Sequence, residues 1–150
     1  MRIGVVLAGG ASSQSSAEQL LPRVLADDVA MADAVIVAAD SGLDLARRLG
    51  IVPTLVVGDL DSVTDDALRR ARGLGIEVRS FPPDKDETDL DLALAAVVVA
   101  GVDRVIVLGG AGGRLDHLLG NIGAIGRLGG ELPVEAWLGE EYFAVVTSSW

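Results

Sequence analysis

The segment Arg104-Val105-Ile106-Val107-Leu108-Gly109-Gly110-Ala111-Gly112-Gly113-Arg114-Leu115-Asp116-His117 joins an apolar run to a glycine-rich turn and then to a helical pattern. The β-branched run Arg104–Leu108 predicts a buried strand, and the leucines after it predict a helix near 115–128. The inward face of that helix is predicted to comprise Leu115, Leu118, Leu119, Ile122 and Ile125. A strand, a glycine turn and a helix in this order are typical of an α/β fold with a parallel sheet.

The same alternation runs through the rest of the chain. Further strands are predicted near residues 3–8, 34–39, 54–57, 76–81, 134–138 and 142–147, and further helices near 17–31, 43–49, 65–72 and 89–100. We therefore predict a doubly wound α/β fold, in which a single domain has a mostly parallel sheet of about six strands with helices on both faces. Residues 1–138 are predicted to form this domain, and residues 139–150 a C-terminal strand that could begin a β-rich domain.

Composition excludes several classes of protein. Half of the 150 residues are hydrophobic but only 3% are aromatic, which suits a parallel sheet buried on both faces. The formal net charge of -10 argues against general binding to nucleic acid or to anionic membranes. There is no cysteine, no signal-peptide pattern, and no apolar stretch as long as the roughly 20 residues that span a bilayer. We expect a soluble, cytoplasmic protein.

Polar or glycine-rich residues follow each of the first five predicted strands. Because parallel strands point their carboxyl ends at the same edge of a sheet, where ligands bind, we expect these segments to share one rim. They are Gly9-Gly10, Asp40-Ser41-Gly42, Gly58-Asp59-Leu60-Asp61, residues 84–89, and Gly109-Gly110-Ala111-Gly112-Gly113-Arg114.

Two aspartates, Asp59 and Asp61, follow the third strand. A turn after Gly58 could direct both carboxylates at one ion, and magnesium prefers such hard oxygen ligands while it bridges substrate phosphates. The structural alternative is that Asp61 and Ser62 cap the next helix.

The densest acidic stretch is Asp84-Lys85-Asp86-Glu87-Thr88-Asp89-Leu90-Asp91. Thr88 and Asp91 have the spacing of a capping box at the start of a helix. The protein's only lysine, Lys85, suits a contact with a phosphate, although an exposed ion pair of little energetic weight is the alternative.

The glycine-rich turn before Arg114 suits an anion. Glycines let backbone amides approach a phosphate, the helix start adds partial positive charge, and Arg114 can grip phosphate oxygens as a fork. Arg114, His117 and Asn121 fall on one polar face of the predicted helix. His117, the only histidine, could contact a substrate or be structural.

Four of these segments together resemble the catalytic domain of the thiamin pyrophosphokinases, in the right order from about Val35 to Asn121. They are Ala38-Ala39-Asp40-Ser41-Gly42, Gly58-Asp59-Leu60-Asp61-Ser62, Asp84-Lys85-Asp86-Glu87-Thr88-Asp89-Leu90 and Gly112-Gly113-Arg114-Leu115-Asp116-His117. The resemblance implies Mg²⁺-dependent transfer of an intact pyrophosphoryl group from ATP to the hydroxyl of thiamin, with release of AMP, in a homodimer.

The resemblance also implies roles for individual residues. Asp59, Asp61 and Asp89 would face the metal, and Asp86 would help them. The nucleotide and its phosphates would be lined by Asp40, Lys85, Thr88, Gly112, Gly113, Arg114, Asp116 and His117. Either Asp86 or Asp116 would take the proton of the acceptor hydroxyl.

Some departures from the family leave the acceptor open. Ser41 stands where the family usually has glycine, Thr54 where aspartate is common, and the usual β-rich second domain is missing or barely begun. A hydroxymethyl pterin is the alternative acceptor. Two further hypotheses remain. A nucleotidyltransferase is suggested by Leu7-Ala8-Gly9-Gly10-Ala11-Ser12, although Gln14 and Ser15 stand where such enzymes need a basic residue shortly after the glycines. The other is a non-catalytic nucleotide-binding module.

Overall fold

The computed structural model describes residues 1–10 and 32–146. Within that part the chain forms seven strands and four helices. The strands are β1 (Ile3–Ala8), β2 (Val35–Ala39), β3 (Leu55–Gly58), β4 (Glu77–Ser80), β5 (Arg104–Leu108), β6 (Val134–Leu138) and β7 (Glu141–Ala144). The helices are α1 (Gly42–Leu49), α2 (Asp65–Gly73), α3 (Asp89–Val99) and α4 (Leu115–Gly129). The helix predicted near 17–31 lies outside the described residues.

All seven strands belong to one sheet, in the order β4-β3-β2-β1-β5-β6-β7. Strands β1 to β6 pair in parallel, and β7 pairs antiparallel with β6. The chain moves outward from β1 to β4, then returns to the other side of β1 and continues from β5. The predicted doubly wound, mostly parallel α/β fold is therefore confirmed, with its switch point between β1 and β5.

Helices cover both faces of this sheet. Alternate residues of the central strands, such as Val6 and Val107, are fully buried in a cluster with α3 and α4. Their neighbours, such as Leu7 and Leu108, are equally buried in a second cluster with α1. Because both faces are covered, these strands read as continuous apolar runs instead of alternating ones.

Local signals account for where the helices begin. The Thr64 side chain accepts a hydrogen bond from the Ala67 amide at the start of α2. The capping box predicted for Thr88 and Asp91 is confirmed, since each side chain accepts a hydrogen bond from the backbone of the other.

The predicted inward face of α4 is wrong in its first half. Leu115 and Leu119 are 68% and 58% exposed, Leu118 and Ile122 are half-buried, and only Ile125 is buried. The helix packs instead through its second half, by Ala124, Ile125 and Leu128. Since α4 begins at the carboxyl edge of the sheet, its first two turns lie at the rim, where the strands offer no apolar surface.

None of the described helices combines the length and the apolar character that a bilayer crossing requires.

Helix α1 lies so close to β1 that only glycine fits at its first position. A Cβ atom on Gly42 would lie 1.9 Å from the Leu7 carbonyl oxygen. We expect Gly42→Ala to lower the free energy of unfolding by about 1–3 kcal/mol, because α1 must move off the sheet. The matched control is Gly126→Ala in α4, where a Cβ would meet nothing within 4 Å. The free energy of unfolding of that control should rise by up to about 1 kcal/mol, because alanine has the higher helix propensity. Urea unfolding measures both, and a Gly42→Ala protein as stable as the parent would contradict the close packing.

Candidate active site

A cleft of about 360 Å³ opens at the carboxyl edge of the sheet, at the switch point between β1 and β5. One wall is made by Gly9 and Gly10 after β1, Asp40 and Ser41 after β2, and the start of α3. The other wall is made by the glycine-rich loop after β5 and the first turns of α4. This is where an open α/β sheet binds its ligands.

Three carboxylates meet at this edge. Asp40 follows β2, Asp59 follows β3, and Asp89 opens α3, and each offers an oxygen atom within 4.8 Å of the other two. All three are partly buried. A Cβ on Gly58 would lie 3.1 Å from the Asp89 carboxyl carbon, so the missing side chain at that position lets Asp89 approach β3. We call Asp40, Asp59 and Asp89 the acidic triad.

Backbone strain orients two of these acids. Asp40 adopts a left-handed φ of 47° and Leu60 one of 64°, a region that side chains other than glycine seldom occupy. The Leu60 side chain is buried in the core beneath the turn. Because Leu60 points into the core, Asp59 joins the triad whereas the Asp61 side chain is exposed.

The triad has few neutralising partners. Ser62 donates its hydroxyl to Asp40 Oδ2, the Asp61 amide donates to Asp59 Oδ1 at 3.1 Å, and Lys85 Nζ lies 2.9 Å from Asp89 Oδ1. Asp40 Oδ1 is buried and accepts no hydrogen bond from the described residues. Burial raises the pKa of Asp40, and the negative charges of Asp89 and Asp59 raise it further against the opposing hydrogen bonds from the Ser62 side chain and the Ser41 backbone.

Lys85 is the cation that faces these acids. Burial alone would lower the pKa of its ammonium group, but the bond to Asp89 and the charges of Asp89, Asp59 and Asp40 outweigh burial and raise it. The side chain therefore carries its positive charge at neutral pH.

The opposite wall of the cleft suits an anion. Gly112 and Gly113 have left-handed φ values of 87° and 74°, and no side chain caps the N-terminus of α4. The Arg114 guanidinium binds the Asp116 carboxylate through two contacts, of 3.0 and 2.6 Å, and both side chains are exposed. His117 lies on the same wall. The loop is anchored by Asn121, whose side-chain amide donates to the Gly110 carbonyl at 2.9 Å.

A second network ties α3 to α4. Arg127 of α4 donates to Asp91 Oδ1 at 2.9 Å, and Asp91 in turn caps α3 through Thr88, which lies on the wall of the cleft. Burial alone would raise the pKa of Asp91, but the hydrogen bonds from Thr88 and Arg127 outweigh burial and lower it.

The structure brings together some of the predicted site residues but not all. Asp59 and Asp89 share the triad, and Thr88, Gly112, Gly113, Arg114, Asp116 and His117 line the cleft. Among the described residues, Asp61 and Asp86 are exposed and belong neither to the acidic triad nor to the lining of the cleft. The roles of all these residues stay predictions.

The resemblance assigns Asp40 to the nucleotide, whereas the structure places its carboxylate beside those of Asp59 and Asp89. The signal was its position, because Asp40 directly follows β2 at the same edge of the sheet.

The fold and the cleft define a doubly wound α/β domain with an acidic, glycine-lined crevice at its switch point. The family model described as thiamin pyrophosphokinase, catalytic domain, matches residues 26–131. The chain therefore belongs to the thiamin pyrophosphokinase family, which confirms the resemblance that its motifs suggest.

Two named relatives illustrate this membership. The thiamine pyrophosphokinase of Bacillus subtilis (strain 168) is 37% identical over 86 residues, which is 57% of this chain and 40% of that protein. Thiamine pyrophosphokinase 1 of Oryza sativa subsp. japonica is 31% identical over 86 residues, which is 53% of this chain and 33% of that protein. The chain thus corresponds to well under two thirds of the length of these relatives.

Solved structures agree on the fold. The crystal structure of thiamine pyrophosphokinase from Bacillus subtilis superposes with a TM-score of 0.71 at 28% identity, over 91% of this chain and 60% of that one. Thiamin pyrophosphokinase from Candida albicans reaches a TM-score of 0.68 at 14% identity, over 94% of this chain and 59% of that one, and shows the fold alone.

The network between α3 and α4 gives a stability test. We expect Asp91→Ala to lower the free energy of unfolding by about 1 kcal/mol, because it removes half of a capping box. Arg127→Ala should lower the free energy of unfolding by less than about 1 kcal/mol, because the arginine of this ion pair is exposed. Denaturant unfolding measures both, with the exposed Asp84→Ala as control. Equal stability of Asp91→Ala and Asp84→Ala would show that the capping box contributes nothing.

Proposed function

We propose that the chain transfers an intact pyrophosphoryl group from ATP to the hydroxyl of thiamin, giving thiamin diphosphate and AMP, with Mg²⁺ as cofactor. The observation that carries this proposal is the acidic triad, of which Asp40 and Asp89 line the switch-point cleft together with a glycine loop and an uncapped helix N-terminus. Family membership and the thiamine pyrophosphokinases among its relatives support it.

The residues present fit a magnesium ion. Three carboxylate oxygens lie within 4.8 Å of one another, and the buried Asp40 Oδ1 has no hydrogen-bond donor among the described residues. Hard carboxylate oxygens are what Mg²⁺ prefers. We propose that Asp59 and Asp89 hold the ion with Asp40, and that the exposed Asp61 joins them as the resemblance implies. Bound there, Mg²⁺ would supply positive charge to the phosphate oxygens of ATP.

The opposite wall would bind the phosphates. The amides of Gly112 and Gly113 and the start of α4 offer donors and partial positive charge to an anion. The ion pair between Arg114 and Asp116 is exposed and therefore weak. Arg114 would leave Asp116 and bind phosphate oxygens as a fork. His117 and Thr88 would contact the nucleotide from the same cleft.

The chemical step would be an in-line displacement. The acceptor hydroxyl oxygen forms a bond to the β-phosphorus while the bond from that phosphorus to the oxygen bridging it to the α-phosphorus breaks, and AMP leaves with that oxygen. We assign the hydroxyl proton to Asp116 in preference to Asp86, because Asp116 lines the cleft and Asp86 does not. Positioning and charge stabilisation would supply most of the rate.

Neutralising one acid of the triad tests this site. We expect Asp59→Asn and Asp89→Asn each to lower Mg²⁺-dependent AMP release by about 100-fold or more, because each removes a charge that holds the metal. Circular dichroism should show an unchanged fold. The control is Asp66→Asn on α2, whose carboxylate pairs with Arg70 at an exposed site, and which should keep full activity. Full activity of Asp59→Asn would rule out the metal assignment.

The acceptor is tested by product analysis. With ATP and Mg²⁺, we expect AMP to appear in step with thiamin diphosphate when thiamin is offered, and not when a hydroxymethyl pterin is offered in parallel. Release of AMP with the pterin but not with thiamin would show that the pterin is the acceptor. Free pyrophosphate in place of AMP would indicate a nucleotidyltransferase, and calorimetric ATP binding without any turnover would indicate a nucleotide-binding module.

The homodimer that the resemblance implies stays a prediction, and so does the cytoplasmic location that the composition suggests.

A further inference from the structure

Lys85 differs in exposure from Arg114, the arginine that lines the cleft. Its side chain is 11% exposed, and its Nζ lies 2.9 Å from Asp89 Oδ1. Arg114, in contrast, is 77% exposed and paired with Asp116. Lys85 is also the only lysine of the chain. An ammonium group is strongly hydrated, so its burial next to carboxylates needs those carboxylates as compensation.

Lys85 contacts the acidic triad from a position beside the cleft. Asp40 and Asp89 are on the wall of the cleft, whereas Lys85 is not among the described residues that line it. The contact that the structure gives the ammonium group is with Asp89, whose Oδ1 lies 2.9 Å from Nζ.

The acidic triad needs a positive charge whenever no metal is bound. Its three carboxylates lie within 4.8 Å of one another, and among the described residues Lys85 is the cation in ion-pair contact with one of them. A partly buried cluster of like charges repels itself, and one nearby cation offsets part of that repulsion. The same cation then repels any divalent ion that enters the triad.

We infer that Lys85 is an internal counter-ion of the acidic triad, which holds the three carboxylates together without metal and weakens the binding of a divalent cation. The inference rests on the proposed metal site and adds that Lys85 acts on the metal, not on the phosphates. Lys85 is thus a positioning residue that keeps the metal exchangeable. A weakly held ion can arrive and leave with the nucleotide, which suits a site that must release its products in every cycle.

Replacing the lysine separates this role from a phosphate contact. Lys85→Met keeps the apolar stem and removes the charge, and we expect it to bind Mg²⁺ and Mn²⁺ at least about tenfold more tightly when no nucleotide is present. Its melting temperature without metal should fall, and saturating Mg²⁺ should remove the difference from the parent. If Lys85 served only phosphates, metal affinity without nucleotide would not change. Isothermal titration calorimetry with the chloride salts measures the affinity.

Two control variants make the comparison specific. Lys85→Arg keeps the charge and should bind both metals with nearly the affinity of the parent. Arg79→Met removes one positive charge from β4, where the side chain pairs with Glu77, and tests whether net charge alone changes the affinity. Equal or weaker metal binding by Lys85→Met, or an equal gain in Arg79→Met, overturns the inference.

A second variant covers the case in which Lys85→Met does not fold. Lys85→Met combined with Asp89→Asn removes both members of the ion pair, so folding should return if carboxylate repulsion was the cause. Continued failure to fold would instead indicate lost packing and overturn the inference. A parent protein that binds neither metal overturns the proposed metal site itself. Metal binding by the parent with no gain in Lys85→Met overturns only the role of Lys85.

Discussion

The mutual repulsion of three carboxylates is the constraint on which the site depends. Oxygens of Asp40, Asp59 and Asp89 lie within 4.8 Å of one another. At that separation each pair of full charges repels by roughly 3 kcal/mol for an effective dielectric constant near 20. Two strained residues, Asp40 and Leu60, add about 1–3 kcal/mol each. A fold keeps such an arrangement only where the rest of the structure imposes it, and such strain typically clusters at functional sites.

The sheet is what imposes it. Asp40 and Asp59 leave adjacent parallel strands, β2 and β3, and the Asp40 amide donates to the Val57 carbonyl at 2.8 Å. Asp89 is carried to the same edge by the long return from β4 to β5 through α3, which crosses over β1, β2 and β3. The doubly wound topology therefore does more than build a core, because the reversal of strand order opens the cleft beside the place where these carboxylates meet.

Much of this could be predicted from the residues. Continuous apolar runs such as Ile3–Ala8 and Arg104–Leu108 give both the strands and their burial on two faces. The capping box at Thr88 follows from spacing alone. The exposure of Leu115 and Leu119 could not be predicted, because an amphipathic pattern does not reveal how far a helix extends beyond its sheet. The outward direction of Asp61 depends on the buried, left-handed Leu60, a tertiary effect that no local pattern carries.

The two cations near the site, Lys85 and Arg114, differ in their exposure to solvent. Exposed Arg114 is held by an equally exposed Asp116, so exchanging that partner for a phosphate changes little hydration on either side. For Lys85 the exchange differs, because moving its ammonium group away from Asp89 would leave that carboxylate with an uncompensated, partly buried charge. In the proposed function, the exposed Arg114 would exchange its partner for a phosphate, whereas Lys85 would act on the metal through Asp89. In the proposed function, Arg114 would therefore serve phosphate recognition and Lys85 would serve metal exchange.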